Sequence, residues 1–531
     1  MKNFSKIFFY IILFLFILAV SFAYPAVDTD FWARLLQGYS VLETGSVMYL
    51  DPFSYIPTHA WIDHEWGSGV IFALVQNCFG YTGQIVLKAL LMFFTMFFVL
   101  QTIKLRGIKN TKLHNFLFFL FVIYSLENSI FSGIRCQNFT FLFFAVFLYL
   151  LELVRIKQNY KILIAFPFMM LFWGNVHGGC VSGLGLILLY AIGEFLNKKP
   201  FKYYLYTFAA STAVLVVNPY GLDYLNFLLS ATTMSRTYIV EWRSIFDNDF
   251  LILLKSKIFA AVFLAVAAGS LVGTVRRKEK IDYTKYIVLF MMFSLAFAHI
   301  KHFPLLIFAS TALLYDDFFF FFNGMMKKIR SLLKITSETF IRNFVTVKEC
   351  IVYVLVILEI IFLFNVYKKT ADIHLFRKYP VKMVEFIKEN DLKGNLLNHF
   401  DIGSFLSYKL FPVDRIYMDG RYEEVYYDKA VIYNWSFYND SDSLDGKEKW
   451  NTLFEVYGLP DYIIVGEDSL VYAKMKSILN YQEIFKDNKY HLYVRKDLQK
   501  LQYVTPEKDD KYYKETYFDR SFKFSKPKNE K

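Results

Sequence analysis

Residues 135–157 read RCQNFTFLFFAVFLYLLELVRIK: a polar end with Arg135 and Gln137, an apolar run over 137–154, and a basic end with Arg155 and Lys157. About 20 mostly apolar residues in a helix match the hydrocarbon thickness of a bilayer, so this stretch predicts a membrane span. The pattern recurs. Apolar runs lie around 7–24, 84–103, 113–131, 137–154, 161–174, 179–196, 202–217, 253–274, 285–299, 303–322 and 349–367. Together they predict an α-helical polytopic membrane protein with about 11 transmembrane helices. The apolar stretch 66–80 is short and carries glycines, which fits a re-entrant or interfacial segment better than a span.

The two ends of these runs differ in charge. One set of loops carries Lys2 and Lys6, Lys104 to Lys112, Arg155 to Lys161, Lys198 to Lys202, Arg276 to Lys280 and Lys327 to Lys334. Basic loops stay on the cytoplasmic side. The opposite set holds the polar clusters Asp28-Thr-Asp30, Trp61-Ile-Asp63-His64-Glu65-Trp66, Arg135-Cys-Gln137, Asn175-Val-His177-Gly-Gly179, Asn218-Pro-Tyr-Gly221, Glu241-Trp-Arg243 and His299-Ile-Lys301-His302. One water boundary for all of them is what a site assembled from several loops requires. The reading is a multi-pass protein of the cell membrane with a cytoplasmic N-terminus and, from the odd number of spans, an extracytoplasmic C-terminal region. The first run reads as a retained helix rather than a cleaved signal peptide, because it is long and Tyr24-Pro25-Ala26 is a poor cleavage site.

Composition agrees: the 531 residues are 56% hydrophobic and 20% aromatic. The net charge of +12 sits largely in short loops, where it sets orientation, so nucleic acid is not an expected partner. The four cysteines show neither metal-ligand spacing nor a disulfide framework, and Cys136 and Cys180 read as buried free thiols.

From 371 onward the apolar stretches shorten to helix and strand length: helices over 381–389, 403–410 and 450–457, strands over 396–398, 415–418, 462–465 and 491–494. The predicted domains are 1–369, a transmembrane domain with a large first outer loop at 25–83; 370–498, an extracytoplasmic α/β domain; and 499–531, a polar Lys/Asp/Tyr-rich tail expected to be disordered or loosely docked.

Asp28 and Asp30, spaced i and i+2, share one face of an extended segment. They could hold a divalent metal ion, perform acid–base chemistry, or simply cap the next helix. Trp61, Asp63, His64, Glu65 and Trp66 read either as a polar site whose rings stack on a sugar or as an interfacial amphipathic helix. Arg135, beside Gln137, suits a bidentate phosphate contact or snorkels to headgroups. His177 precedes two glycines that permit close ligand approach, and is equally read as a satisfied interfacial histidine. Asn218-Pro-Tyr-Gly221 is turn chemistry. Glu241 reads as an acceptor contact or a solvated charge. His299, Lys301 and His302 form a further basic point, able with Arg135 to neutralise a lipid-linked phosphate. P-loop, G-x-G-x-x-G, H-E-x-x-H and G-x-S-x-G patterns are absent from the sequence.

The ordered set D-x-D-F-W, D-P-F-S-Y, W-x-D-H-E-W, G-x-R-x-Q, N-x-H-G-G, N-P-Y-G, E-W and H-x-K-H-x-P resembles bacterial polytopic proteins placed in or beside the GT-C glycosyltransferase superfamily, whose members are similar to protein O-mannosyltransferases and aminoarabinose transferases. Asn398-His-Phe-Asp401 and Tyr417-Met-Asp419-Gly420-Arg421-Tyr-Glu423 resemble that family's outer domain. Cys136 stands where relatives tend to carry proline. The resemblance implies transfer of a sugar from a polyprenyl-phosphate donor to a lipid, glycan or protein acceptor, with Asp28 or Asp30 as general base and Asp63 and Glu65 as second candidates. A transporter or flippase of a polar or lipid-linked substrate, and a non-catalytic envelope assembly protein, are the competing readings.

Overall fold

The computed structural model describes residues 2–23, 27–107, 122, 133–232, 239–247, 250–332, 354–365, 378–440, 449–487 and 489–525. The predicted run 113–131 lies outside these, apart from Val122, as do the ends of run 349–367. The chain divides into two units. The first comprises Met1–Tyr24, Ile85–Ser132 and Cys136–Val366; the second comprises Pro25–Gln84, Gly133–Arg135 and Tyr367–Lys531.

The first unit is helical. Among the described residues, three helices are long and apolar enough to cross a membrane: Trp66–Leu105, Gln137–Lys157 and Ser256–Arg276. A fourth is added if Ile300–Leu313 and Tyr315–Phe321, bent by 70°, form one span. This corrects the expectation of about 11 full spans. Runs 161–174 and 202–217 give the 12-residue helices Ala165–Val176 and Lys202–Ala213, flanked by 3-10 turns. At about 1.5 Å rise per residue such a helix is much shorter than a hydrocarbon core of about 30 Å. The helix Trp66–Leu105 is broken at Gly80, whose φ of 59° and ψ of −160° suit glycine alone, and the break separates the short apolar stretch from the long run that follows.

Charges inside the first unit are paired. Arg155 reaches Glu152 at 2.9 Å, Glu194 at 2.7 Å and Asp282 at 2.7 Å, and Arg106 meets Glu152 at 2.7 Å. The Tyr190 hydroxyl donates to Glu152 and the Thr284 hydroxyl to Glu194. A buried carboxylate is tolerable only with such partners.

The second unit is built on a mixed sheet of β1 (Gly394–Leu397), β2 (Asp414–Ile416), β3 (Tyr462–Gly466), β4 (Tyr481–Lys486) and β5 (Tyr490–Arg495), ordered β2-β1-β3-β5-β4. The β2, β1 and β3 strands run parallel, while β5 is antiparallel to both β3 and β4. A bare edge strand invites pairing with other chains. Here a segment far upstream covers it: the Tyr55 N–H donates to the Ile416 carbonyl and the Ile416 N–H to that of Phe53, each at 3.0 Å. Thr58 then pairs with Tyr426.

Arg421 fastens this arrangement. Its guanidinium contacts Asp51 at 2.7 Å and Asp419 at 2.9 Å, with all three side chains almost wholly buried, and lies 5.0 Å from the Trp61 ring. Trp61, at 1% exposure, is core. It is therefore not the sugar-stacking ring that its flanking position suggested, because the cation occupies its environment.

The stretch 25–83, expected as a loop of the transmembrane domain, contains the helix Thr29–Thr44 and clusters with the C-terminal residues. A Cβ on Gly38 would lie 1.9 Å from the Gly69 carbonyl oxygen, so this helix crosses the start of Trp66–Leu105 backbone to backbone. Trp32, fully buried, is enclosed by Tyr379, Phe405, Tyr408, Tyr517 and Phe518 at ring distances of 5.1–5.8 Å. Two of those rings belong to the tail. Of the two readings of the tail, disordered or loosely docked, the described residues through 525 show docking: the helix Asp510–Thr516 forms, Tyr513 and Tyr517 are buried, Lys409 donates to the carbonyls of Thr516 and Asp519, and Arg520 pairs with Glu43. Its aromatic residues supply the burial that its polar composition concealed.

Removing Arg421 strands Asp51 and Asp419 in the interior. Arg421→Ala is expected to cost roughly 3–5 kcal/mol, read as a lowered Tm of the detergent-solubilised protein; an unchanged Tm refutes the clamp.

Candidate functional site

Asp28 is the N-cap of the helix Thr29–Thr44, accepting from the Asp30 N–H at 3.1 Å. Its other oxygen meets Arg135 at 2.8 Å. Burial pushes the Asp28 carboxyl up, but Arg135 and Lys378 outweigh it and hold it below the usual carboxylate range. Asp30 has the opposite fate. Among the described residues its carboxylate has no hydrogen-bond or ion-pair partner, although part of its surface stays open. Burial and the charge of Asp28 raise it to about 7, against the partial opposition of Arg135 and Arg34. Two carboxylates two residues apart therefore sit in different protonation regimes.

One turn further along the helix, Arg34 contacts Asp63 at 2.8 Å, pairs with Glu65 and lies 3.9 Å from Glu424. His64 lies 3.5 Å from both Glu65 and Glu424. Burial lowers the His64 pKa, but the two glutamates prevail and raise it above its usual value, favouring the imidazolium. Asp63 and Glu65, expected as alternative bases, are instead committed to Arg34. Trp66 begins the helix Trp66–Leu105 and is half-buried. The Asp419-Gly420-Arg421 turn closes this neighbourhood: a Cβ on Gly420 would lie 3.1 Å from the Asp30 Oδ1.

The divalent metal ion expected at Asp28 and Asp30 lacks a ligand set. Among the described residues no group of three or more His, Cys, Asp or Glu side chains is arranged to hold an ion, and Arg135 takes the place beside Asp28 that a cation would fill.

The remaining predicted residues lie in the first unit, in separate groups. His177 ends the helix Ala165–Val176; the Gly179 N–H points at its Nδ1 at 2.8 Å, which makes that nitrogen an acceptor and leaves the proton on Nε2. Thr140 lies 2.8 Å from the same nitrogen and accepts from the Trp173 indole at 3.0 Å. Gln137 opens the helix Gln137–Lys157. The second group joins the predicted E-W-R and H-I-K-H segments: the Lys301 ammonium lies 3.5 Å from the Trp242 ring centre, His299 Nδ1 is 2.6 Å from the Trp242 carbonyl oxygen, and the His299 and His302 rings are 6.0 Å apart. Glu241 is the first acid of that segment and is half-buried.

Sequence reading missed Arg34, Lys378 and Glu424, and gave Gly420 no place in the site. The signal for Arg34 was a lone arginine in the apolar Phe31-Trp-Ala-Arg34-Leu-Leu run, four residues from Asp30. No protein-family model matches the chain, and no curated protein matches it.

Asp30 carries a signature in stability. Its folded pKa of about 7 exceeds the ordinary 3.8, so the folded state holds the proton more tightly and stability falls as pH rises through that window. The opposite contribution of Asp28 lies below pH 3.8. Asp30→Asn is therefore expected to gain about 1–2 kcal/mol over wild type above neutral pH, after discounting for partial exposure, and nothing near pH 4. Unfolding curves at both pH values check this.

Proposed function

We propose that the chain is a membrane glycosyltransferase of the GT-C type, moving a sugar from a polyprenyl-phosphate donor to an acceptor hydroxyl at the extracytoplasmic face, with Asp30 as general base. The observation that carries this reading is the part-open Asp30 carboxylate, unpartnered among the described residues, with a pKa near neutrality. The ordered motifs and the long apolar helices support the lipid-linked donor, and the outer face is what the resemblance implies.

The step follows from the groups present. The acceptor O–H gives its proton to Asp30 as its oxygen forms a bond to the anomeric carbon. The bond from that carbon to the phosphate oxygen breaks, and the phosphate leaves with the electron pair. A base poised near the working pH combines a large unprotonated fraction with useful basicity. Asp28, paired with Arg135, stays ionised and sets the pKa of its neighbour by repulsion. Arg135 is a planar cation suited to the charge that develops on phosphate.

Transfer by purified protein, with a labelled polyprenyl-phosphate sugar and cell-envelope acceptors, is expected to rise with pH and level off above about 7. Asp30→Asn should cost at least about 100-fold without altering membrane insertion. Asp28→Asn should move the midpoint to lower pH, because it removes the charge that raises Asp30. Wild-type rates in both variants overturn the reading.

A further inference from the structure

The acceptor must reach Asp30, and the space beside that carboxylate is set by one residue remote in sequence. Gly420 lies between Asp419 and Arg421, both locked by the buried ion pair with Asp51, so its backbone has little freedom to move away. An added Cβ at 420 would meet the Asp30 Oδ1 at 3.1 Å and the Thr29 methyl at 3.9 Å, and nothing else within 4 Å among the described residues. That first distance is tighter than most Cβ contacts, so the carboxylate would have to give way by a few tenths of an ångström. The φ of Gly420 lies outside the left-handed range, so backbone conformation does not demand glycine here. What glycine provides is room for the carboxylate opposite. Among the described residues, neither the N–H nor the carbonyl of Gly420 is taken by a hydrogen bond. A peptide group left unpaired beside an unpaired carboxylate has hydrogen-bonding capacity to offer a bound molecule.

We propose that Gly420 is a specificity-determining residue: the Asp419-Gly420-Arg421 turn is the wall against which a small, neutral, hydroxyl-bearing acceptor is held beside Asp30. This rests on the reading of Asp30 as the base. The charge around the site selects the acceptor class. Asp63, Glu65 and Glu424 are matched by Arg34 and the His64 imidazolium, and Asp28 by Arg135, so the charges around Asp30 are balanced before it ionises. Ionised Asp28 beside Asp30 disfavours a second negative charge at that spot, so an anionic acceptor group is disfavoured there, whereas an uncharged alcohol such as a sugar hydroxyl is not. The turn lies between the strand β2 and the rest of the α/β region, which gives that region a direct part in the site rather than a docking role alone.

The test reads Asp30 directly, without an activity assay. Full-length protein in detergent is treated near neutral pH with a water-soluble carbodiimide and glycinamide, and modified carboxyls are located by mass spectrometry. The exposed Asp401 of the same unit serves as the control. Wild type is expected to be modified at Asp30, and Gly420→Ala to cut that modification about tenfold or more with Asp401 labelled equally in both. A second arm needs no variant: tryptophanamide in place of glycinamide should be excluded from Asp30 while still labelling Asp401. Equal Asp30 labelling in Gly420→Ala, or equal labelling of Asp30 by both amines, overturns the role of Gly420 and leaves the base reading standing. Absence of Asp30 labelling in wild type, with Asp401 labelled, overturns the base reading itself.

Discussion

The Arg421 guanidinium, held between Asp51 and Asp419 in the interior of the second unit, is the contact from which the rest of that unit follows. It ties a segment near residue 50 to a turn near residue 420. Once tied, Phe53 and Tyr55 pair along β2 and seal its edge, and Trp61 packs against the cation. The same tie places Gly420 against Asp30 and Glu424 within reach of Arg34 and His64. Dehydrating three charges is expensive, and replacing such a cluster by apolar residues is often no worse for stability. What apolar residues could not supply is direction: the forked guanidinium fixes two carboxylates, and so two chain segments, in one register.

The carboxylates of the second unit differ in fate because they differ in partners. Asp28 has Arg135, Asp63 and Glu65 have Arg34, Asp51 and Asp419 have Arg421. Asp30 alone in this group is placed against a glycine and beside a second negative charge, and its proton affinity rises accordingly. The arginines thus do two things at once. They make the buried acids tolerable, and because their ion pairs go to other carboxylates they leave Asp30 only partly compensated.

Much of this was legible in the sequence. The helix Val381–Glu389 and the strands β1, β2, β3 and β5 announced themselves by short apolar stretches between turn residues, and Asp28 and Asp30 by being carboxylates beside a long apolar run. The Trp242 and His299–His302 segments do meet in space. Three things were hidden. Span length was overestimated, because an apolar run does not reveal where its helix tightens into a 3-10 turn, as after Ala213. The tail looked disordered because Lys and Asp dominate its composition, while Tyr513, Tyr517 and Phe518 do the packing. The partners of Asp63 and Glu65 were invisible because Arg34 and Glu424 come from a helix face and a distant turn, which only the fold brings together.

An uncompensated carboxylate near neutrality opposes folding, so the second unit must hold Asp30 in place against its own preference for solvent. The backbone crossing of Gly38 and Gly69 fixes the helix that bears it, and the aromatic enclosure of Trp32 anchors that helix two residues further on. Neither device carries a group that titrates near neutrality, so their stabilisation is indifferent to pH there, whereas the cost of ionising Asp30 appears only as pH rises through its titration. A site so arranged keeps its shape while its charge changes, which is what a group that repeatedly accepts and releases a proton requires.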